Sequence, residues 1–196
     1  MNGMQTECRK DKFICLYCRD ATADGEVSSN CQELGDGGNG IIKKNNLRCY
    51  MDKFEQTKEF YHLLEEGAEA LGAEDRGTLY RPCAINCVKK YVLKEMQRQF
   101  DECGGDYDLQ CTKYGRSEYF FADIIEPGHV YEIGYPCCFC PMVESGLAKS
   151  TAHCECSRQS ILFVLHTLMP KREIQVTILH TVLGKANECR FRVQIK

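Results

Sequence analysis

Two Cys-x-Cys pairs, Cys138-Phe139-Cys140 and Cys154-Glu155-Cys156, stand thirteen residues apart in the second half of this chain. Cys137 precedes the first pair and His153 the second, so five thiols and an imidazole fall within twenty residues. Thiolates are soft ligands, and four of them around one ion make the usual closed structural zinc site. In an extended strand, i and i+2 thiols lie roughly 6–7 Å apart, too far for one ion bound at about 2.3 Å per ligand. The pairs are therefore expected in turns, which Pro136 and Pro141 favour. Such a metal would staple a loop that has too little apolar surface to hold itself. Cys138, Cys140, Cys154 and Cys156 are the expected ligands. Cys83 and Cys87, four apart on one helical face, either complete the set or are small core residues. Cys137 is an alternate ligand or a reactive thiol, and His153 is an alternative to one cysteine. Zinc is the expected metal and an iron–sulfur cluster the alternative.

The chain has 15 cysteines in 196 residues. That count is odd, the pairs are too close for good mutual disulfides, and the N-terminal residues carry no apolar export segment. A reducing, cytoplasmic setting with metal ligation is the expectation. Net charge is −3 and the pI is near 6.0, which gives no basic field for nucleic acid or anionic lipid. No run approaches the roughly 18 apolar residues of a membrane span.

Residues 1–46 form a separate region with Cys8, Cys15, Cys18 and Cys31, ending in the turn-rich Gly35-Asp-Gly-Gly-Asn-Gly40. They read as an arm or a small second metal knuckle. Residues 47–196 read as one domain. Apolar residues at three- and four-residue spacing predict a helix over 47–71, capped by Gly72. A second helix is predicted from Thr78 and Pro82 to Phe100, with Pro82 in its first turn. Residues 105–116 read as a polar connection. Period-two patterning then predicts a hairpin over 119–133, turning at Glu126-Pro127-Gly128-His129. A helix over 158–169, N-capped by Ser157, comes after the loop at 136–157. Alternation over 174–179 and 189–195 predicts a second hairpin with one buried face. The fold class is α+β: an antiparallel sheet of about four strands in two hairpins, packed with three helices, plus a cysteine-rich metal loop. The sequence holds no phosphate loop, dinucleotide fingerprint, Gly-x-Ser-x-Gly or His-Glu-x-x-His.

The run Cys137-Cys138-Phe139-Cys140, then Cys154-Glu155-Cys156-Ser157 and a helix, then Gly184 and Glu188-Cys189-Arg190-Phe191-Arg192-Val193, resembles the 4-vinyl reductase domain superfamily. The resemblance covers roughly residues 75–196. It is nearest to cysteine-rich bacterial families of unknown function, with similarity to proteins labelled aminothiazoline-carboxylate hydrolases. That superfamily is similar in fold to heme-based nitric-oxide sensor domains and to a subunit family of a vesicle-tethering complex. The resemblance implies an α/β sandwich that holds a small hydrophobic ligand, with Cys138, Cys140, Cys154 and Cys156 as metal positions near the pocket and Cys189 structural. No histidine stands in an evident heme-ligand context.

Three functions are expected. The first is a cytoplasmic, zinc-binding, small-ligand sensing or regulatory domain without catalysis of its own. The second is a hydrolase of a small cyclic C–N substrate, using metal-bound water or a free cysteine such as Cys137. The third is an iron–sulfur or thiol redox protein. A homodimer through the sheet or the first helix is a further option.

Overall fold

The computed structural model describes the backbone of residues 42–196 and the side chains from Lys53 onward. The cysteine knuckle expected at residues 8–31 lies outside the described residues. Residues Lys53–Lys196 form one unit, which the end of the first helix enters.

Six α-helices and four strands are present among the described residues. They are α1 (Ile42–Ala70), α2 (Ala73–Tyr91), α3 (Leu93–Glu102), α4 (Tyr107–Tyr114), β1 (Phe121–Glu126), β2 (Val130–Tyr135), α5 (Pro141–Glu144), α6 (Glu155–Leu168), β3 (Ile174–His180) and β4 (Cys189–Ile195). A 3-10 turn over Thr151–Cys154 runs straight into α6. The sheet has the order β1-β2-β4-β3, and every pairing is antiparallel. The two expected hairpins thus form a single sheet, joined where β2 pairs with β4.

Each hairpin arises from local chemistry. β1 turns into β2 at Gly128, whose φ of +75° is easy only for glycine. The Tyr131 hydroxyl and the Gly128 N–H both donate to Asp108 Oδ1, at 2.6 and 3.2 Å, which ties the turn to α4. In the second hairpin Ile174 opposes Ile195, Val176 opposes Val193 and Ile178 opposes Phe191. That register turns one face of β4 inward at Cys189, Phe191, Val193 and Ile195. α6 covers this face with Ile161, Val164, Leu165 and Leu168, and α2 packs on α6. Gly77 makes that approach close: a Cβ there would stand 2.8 Å from the Gln159 amide nitrogen.

The helices depart from expectation in several places. The predicted second helix is two helices, broken at Val92, whose φ of −124° leaves the helical range. Pro82 lies in the interior of α2 and not in its first turn; it lacks an N–H for the Thr78 carbonyl, and the helix tolerates this loss. Gly72 precedes α2 in extended conformation rather than capping α1 in the left-handed one. Residues 107–114 are helical because the Asp106 carboxylate accepts the Leu109 N–H at 3.0 Å, a cap the polar composition hid. α6 starts at Glu155, with Ser157 inside it. Cys154 precedes it without a side-chain cap, and Ser150 caps the 3-10 turn instead, its Oγ accepting the Ala152 N–H at 2.9 Å.

On the outer face of the sheet, Asp123 opposes Glu132 across β1 and β2. Two carboxylates in register repel. Arg190 Nη1 bridges them at 3.0 Å to each, while its guanidinium lies 4.5 Å over the Phe121 ring. Arg192 binds the other Glu132 oxygen at 2.6 Å. The Arg192 and Arg190 hydrogen bonds hold the Glu132 carboxyl below the usual carboxylate range.

Two outcomes are expected. Phe191, fully buried, should lose about 3–5 kcal/mol of unfolding free energy as F191A in urea titration, whereas L64A, on an exposed residue, should change it by about 0.5 or less. The depressed Glu132 pKa adds stability that is complete above the unfolded value near 4.5 and fades as pH falls through the lower native one. R192A should therefore show a shallower acid limb of stability against pH than the unaltered chain.

Candidate thiol and imidazole centre

β2 ends at Tyr135 directly opposite Cys189 of β4. The chain leaving β2 thus enters the cysteine loop beside the start of β4. Cys140 closes this stretch as the residue before α5, with Pro141 in the first helical turn. The Val143 N–H donates to the Cys140 carbonyl at 3.0 Å. The chain returns through residues 145–150 to the 3-10 turn, which carries His153.

There the two meet. Cys140 Sγ lies 3.3 Å from His153 Nε2, and the Tyr61 hydroxyl lies 3.0 Å from His153 Nδ1. The Tyr80 ring meets the imidazole edge-on at 5.7 Å. Burial lowers the His153 pKa, partly opposed by the Glu65 charge, so the ring is neutral near pH 7. Burial pushes the Tyr80 hydroxyl up to about 12 and Tyr61 higher still.

α1 supplies the wall of the centre. Tyr61, Glu65 and Ala68 recur at helical spacing on its inward face. Glu65 is 3% exposed, and its Oε2 accepts the N–H groups of Lys149 and Ser150 at 2.9 and 3.2 Å. Its Oε1 is buried and has no hydrogen-bond partner. Ala68, Tyr80 and Ala152 pack together there, with Cys156 against them.

Burial is the main influence on the Cys156 thiol, with Cys140, Cys87 and Cys83 as neighbouring thiols. Cys83 and Cys87 are exposed on α2, which removes the core explanation for them. Cys154 has Thr181, Cys189, Cys138 and Cys140 as neighbours, and the Cys189 thiol accepts the Val182 N–H at 3.4 Å. Cys138 is half-buried, near both Cys140 and Cys154. Burial pushes Cys154 up to about 11 and Cys156 to about 12, and raises Cys140 and Cys189. Thiols so raised stay protonated near pH 7 and are poor nucleophiles without a cation beside them. Cys137, expected as an alternate ligand or a reactive thiol, is disulfide-bonded.

A tetrahedral ion bound at about 2.3 Å to sulfur and about 2.0 Å to nitrogen would separate those two atoms by about 3.5 Å. The Cys140–His153 pair matches one such edge. Among the described residues, no group of three or more His, Cys, Asp or Glu side chains is already arranged to hold a metal ion. Sequence reasoning missed Tyr61, Glu65 and Tyr80. A carboxylate four residues after Tyr61, on the apolar face of a helix, was the available sign.

Elsewhere, an open cleft of about 640 Å³ lies between α1 and the loop, walled by Glu55, Lys58, Glu59, Glu66 and Lys149. Those charges suit a polar molecule better than an apolar one. Between α3, α4 and β1 the free space is about 10 Å³, room for about one water.

Tyr61→Phe removes the hydroxyl that holds Nδ1. The expected loss is about 1 kcal/mol of stability, with a change in His153 tautomer visible in the ring nitrogen NMR shifts. Unchanged shifts would mean that Tyr61 does not orient the ring.

No family model matches the chain, and no curated protein matches it. Among solved structures the chain is similar to a trafficking protein particle complex subunit 3 from Naegleria fowleri, covalently bound to palmitic acid. Identity is 11%, over 74% of this chain and 96% of that one, with a TM-score of 0.35. At that level the likeness assigns neither a fold nor a function.

Proposed function

We propose that this chain is a cytoplasmic regulatory domain, 4-vinyl reductase-like, that binds zinc at the Cys140–His153 centre and senses a small ligand without catalysis of its own. The observation that carries the reading is the contact between Cys140 Sγ and His153 Nε2 at 3.3 Å, with Nδ1 of the same ring held by Tyr61. A metal-bound histidine characteristically engages its second nitrogen in this way, which fixes its tautomer and aim. The neutral ring leaves Nε2 with a lone pair for a cation. Cys138, Cys156, Cys87 and Cys83 are the neighbouring thiols from which further donors are drawn. The zinc supplies cross-linking free energy to a loop with few buried apolar side chains. The chain's own residues do the rest: Tyr61 orients the imidazole, and Tyr80 and Ala152 shield it from water. No helix among the described residues is long and apolar enough to cross a membrane.

The same contact favours a second reading, a cysteine-dependent hydrolase with Cys140 as nucleophile, His153 as base and Tyr61 as the orienting group. A buried thiol with a raised pKa makes it the weaker of the two.

Elemental analysis and an absorption spectrum of anaerobically purified protein separate the readings. About one or more equivalents of zinc without a visible band are expected. C140S and H153A should each lose one equivalent, while C103S, a buried thiol in a different part of the core, should keep it. Iron with a visible band would shift the assignment to a cluster-bearing redox protein. Metal-free protein whose Cys140 reacts selectively with iodoacetamide would favour the hydrolase.

A further inference from the structure

We propose that the outward face of α1, built on Phe60, Leu63 and Leu64 and edged by Glu59 and Glu66, is a docking surface for a basic amphipathic helix of a partner protein. This surface is separate from the proposed zinc centre and does not depend on it.

A surface helix normally has one apolar stripe, turned toward the core. α1 has two. Tyr61, Glu65 and Ala68 form its inward face, whereas Phe60, Leu63 and Leu64 are each more than half exposed, and Leu71 extends their row. Positions 60, 63, 67 and 70 recur with the spacing of a heptad seam, and Leu64 and Leu71 line one flank of it. A row of that pattern is the one a second helix fills with its own apolar side chains. Gly67 lies in the middle of the row, and a Cβ there would meet no atom within 4 Å. A glycine inside a helix weakens it, but here it lets a partner backbone come close.

Charge identifies the occupant. Glu59 and Glu66, seven apart, line the other flank of the seam. Neither has an ion-pair partner among the described residues. Together with Leu63 they wall the open cleft of about 640 Å³, so the acidic flank is concave. Of the two lysines at that cleft, Lys58 is already taken up by Glu55 at 2.9 Å and lies 4.6 Å over the Phe54 ring. Two copies of α1 packed antiparallel on this row would set Glu59 of one opposite Glu66 of the other, and like charges on facing flanks repel. An anionic membrane surface repels the same carboxylates. A helix with leucines along its seam and Lys or Arg on its flanks matches both the apolar row and the acidic edge.

The test titrates the full chain with a labelled synthetic helical peptide of about 21 residues, with Leu along its seam and Lys on its flanks, and with a matched peptide carrying Glu in place of Lys. Fluorescence anisotropy reads the affinity. The Lys peptide should bind about tenfold more tightly than the Glu peptide, and more weakly as salt rises. F60S combined with L63S should lower its affinity by about tenfold or more. E59K combined with E66K should reverse the preference toward the Glu peptide. Each of these positions is exposed, so melting followed by circular dichroism should stay near that of the unaltered chain. Equal affinity for the two peptides, or tight binding that survives F60S with L63S, would overturn the docking surface. If that variant does not fold, the charge reversal decides, and an unchanged preference for the Lys peptide overturns it. A dimer in sedimentation equilibrium, or flotation with phosphatidylcholine vesicles, that is lost in F60S with L63S would assign the face to a second copy or to lipid instead.

Discussion

The pairing of β2 with β4 is the constraint on which the rest of the unit depends. It alone joins the two hairpins into one sheet. It also brings backbones very close, since a Cβ on Gly134 would stand 1.9 Å from the Cys189 carbonyl oxygen and 2.7 Å from the Phe121 ring. Only glycine fits there. With the seam closed, Phe191 and Val193 are fully buried and form the floor for α6. The seam also fixes where the cysteine loop begins, because Tyr135 and Cys189 are partners in register.

From that seam the cysteine loop is built outward with modest apolar burial and many polar contacts. The loop meets α1 through the Tyr61 hydroxyl, the His62 ring, the Glu65 carboxylate and the Ser150–Glu69 hydrogen bond. Those are directional contacts, sensitive to what happens at Cys140 and His153. α1's other face carries Phe60, Leu63 and Leu64 in the open, each more than half exposed. The helix is thus held to the described unit mainly along one polar seam, in contrast to α2 and α6, which share a close-packed interface through Gly77. A site that bridges loop and helix can change how firmly α1 is held without disturbing the sheet.

Much of the fold was legible. Strict alternation over β3 and β4 dictated which residues face inward, because a strand's side chains have a period of two and no freedom to compromise. The Pro127-Gly128 turn was equally plain. The helix boundaries were less so. Val92 and Pro82 both lie in strongly helical surroundings, yet the chain breaks at the first and continues through the second. The candidate centre was half legible: the cysteine spacing marked the loop, and His153 stood next to the second pair. The neighbours of each thiol were not, since they depend on which strand end lies beside which loop.

The sequence by itself determined an α+β domain with two hairpins, an inward face on β4, and a turn-rich segment dense in soft ligands. These are consequences of local period and residue chemistry. Only the tertiary structure decided that Cys154 has Cys189 and Thr181 among its neighbours, that Cys140 goes to His153, and that a carboxylate from α1 is buried with one oxygen bare. The reason is physical: ligand geometry is a matter of ångströms between side chains distant along the chain. Glu65 and His153 are set by the docking of α1 and the register of β2 against β4, and no local pattern encodes either.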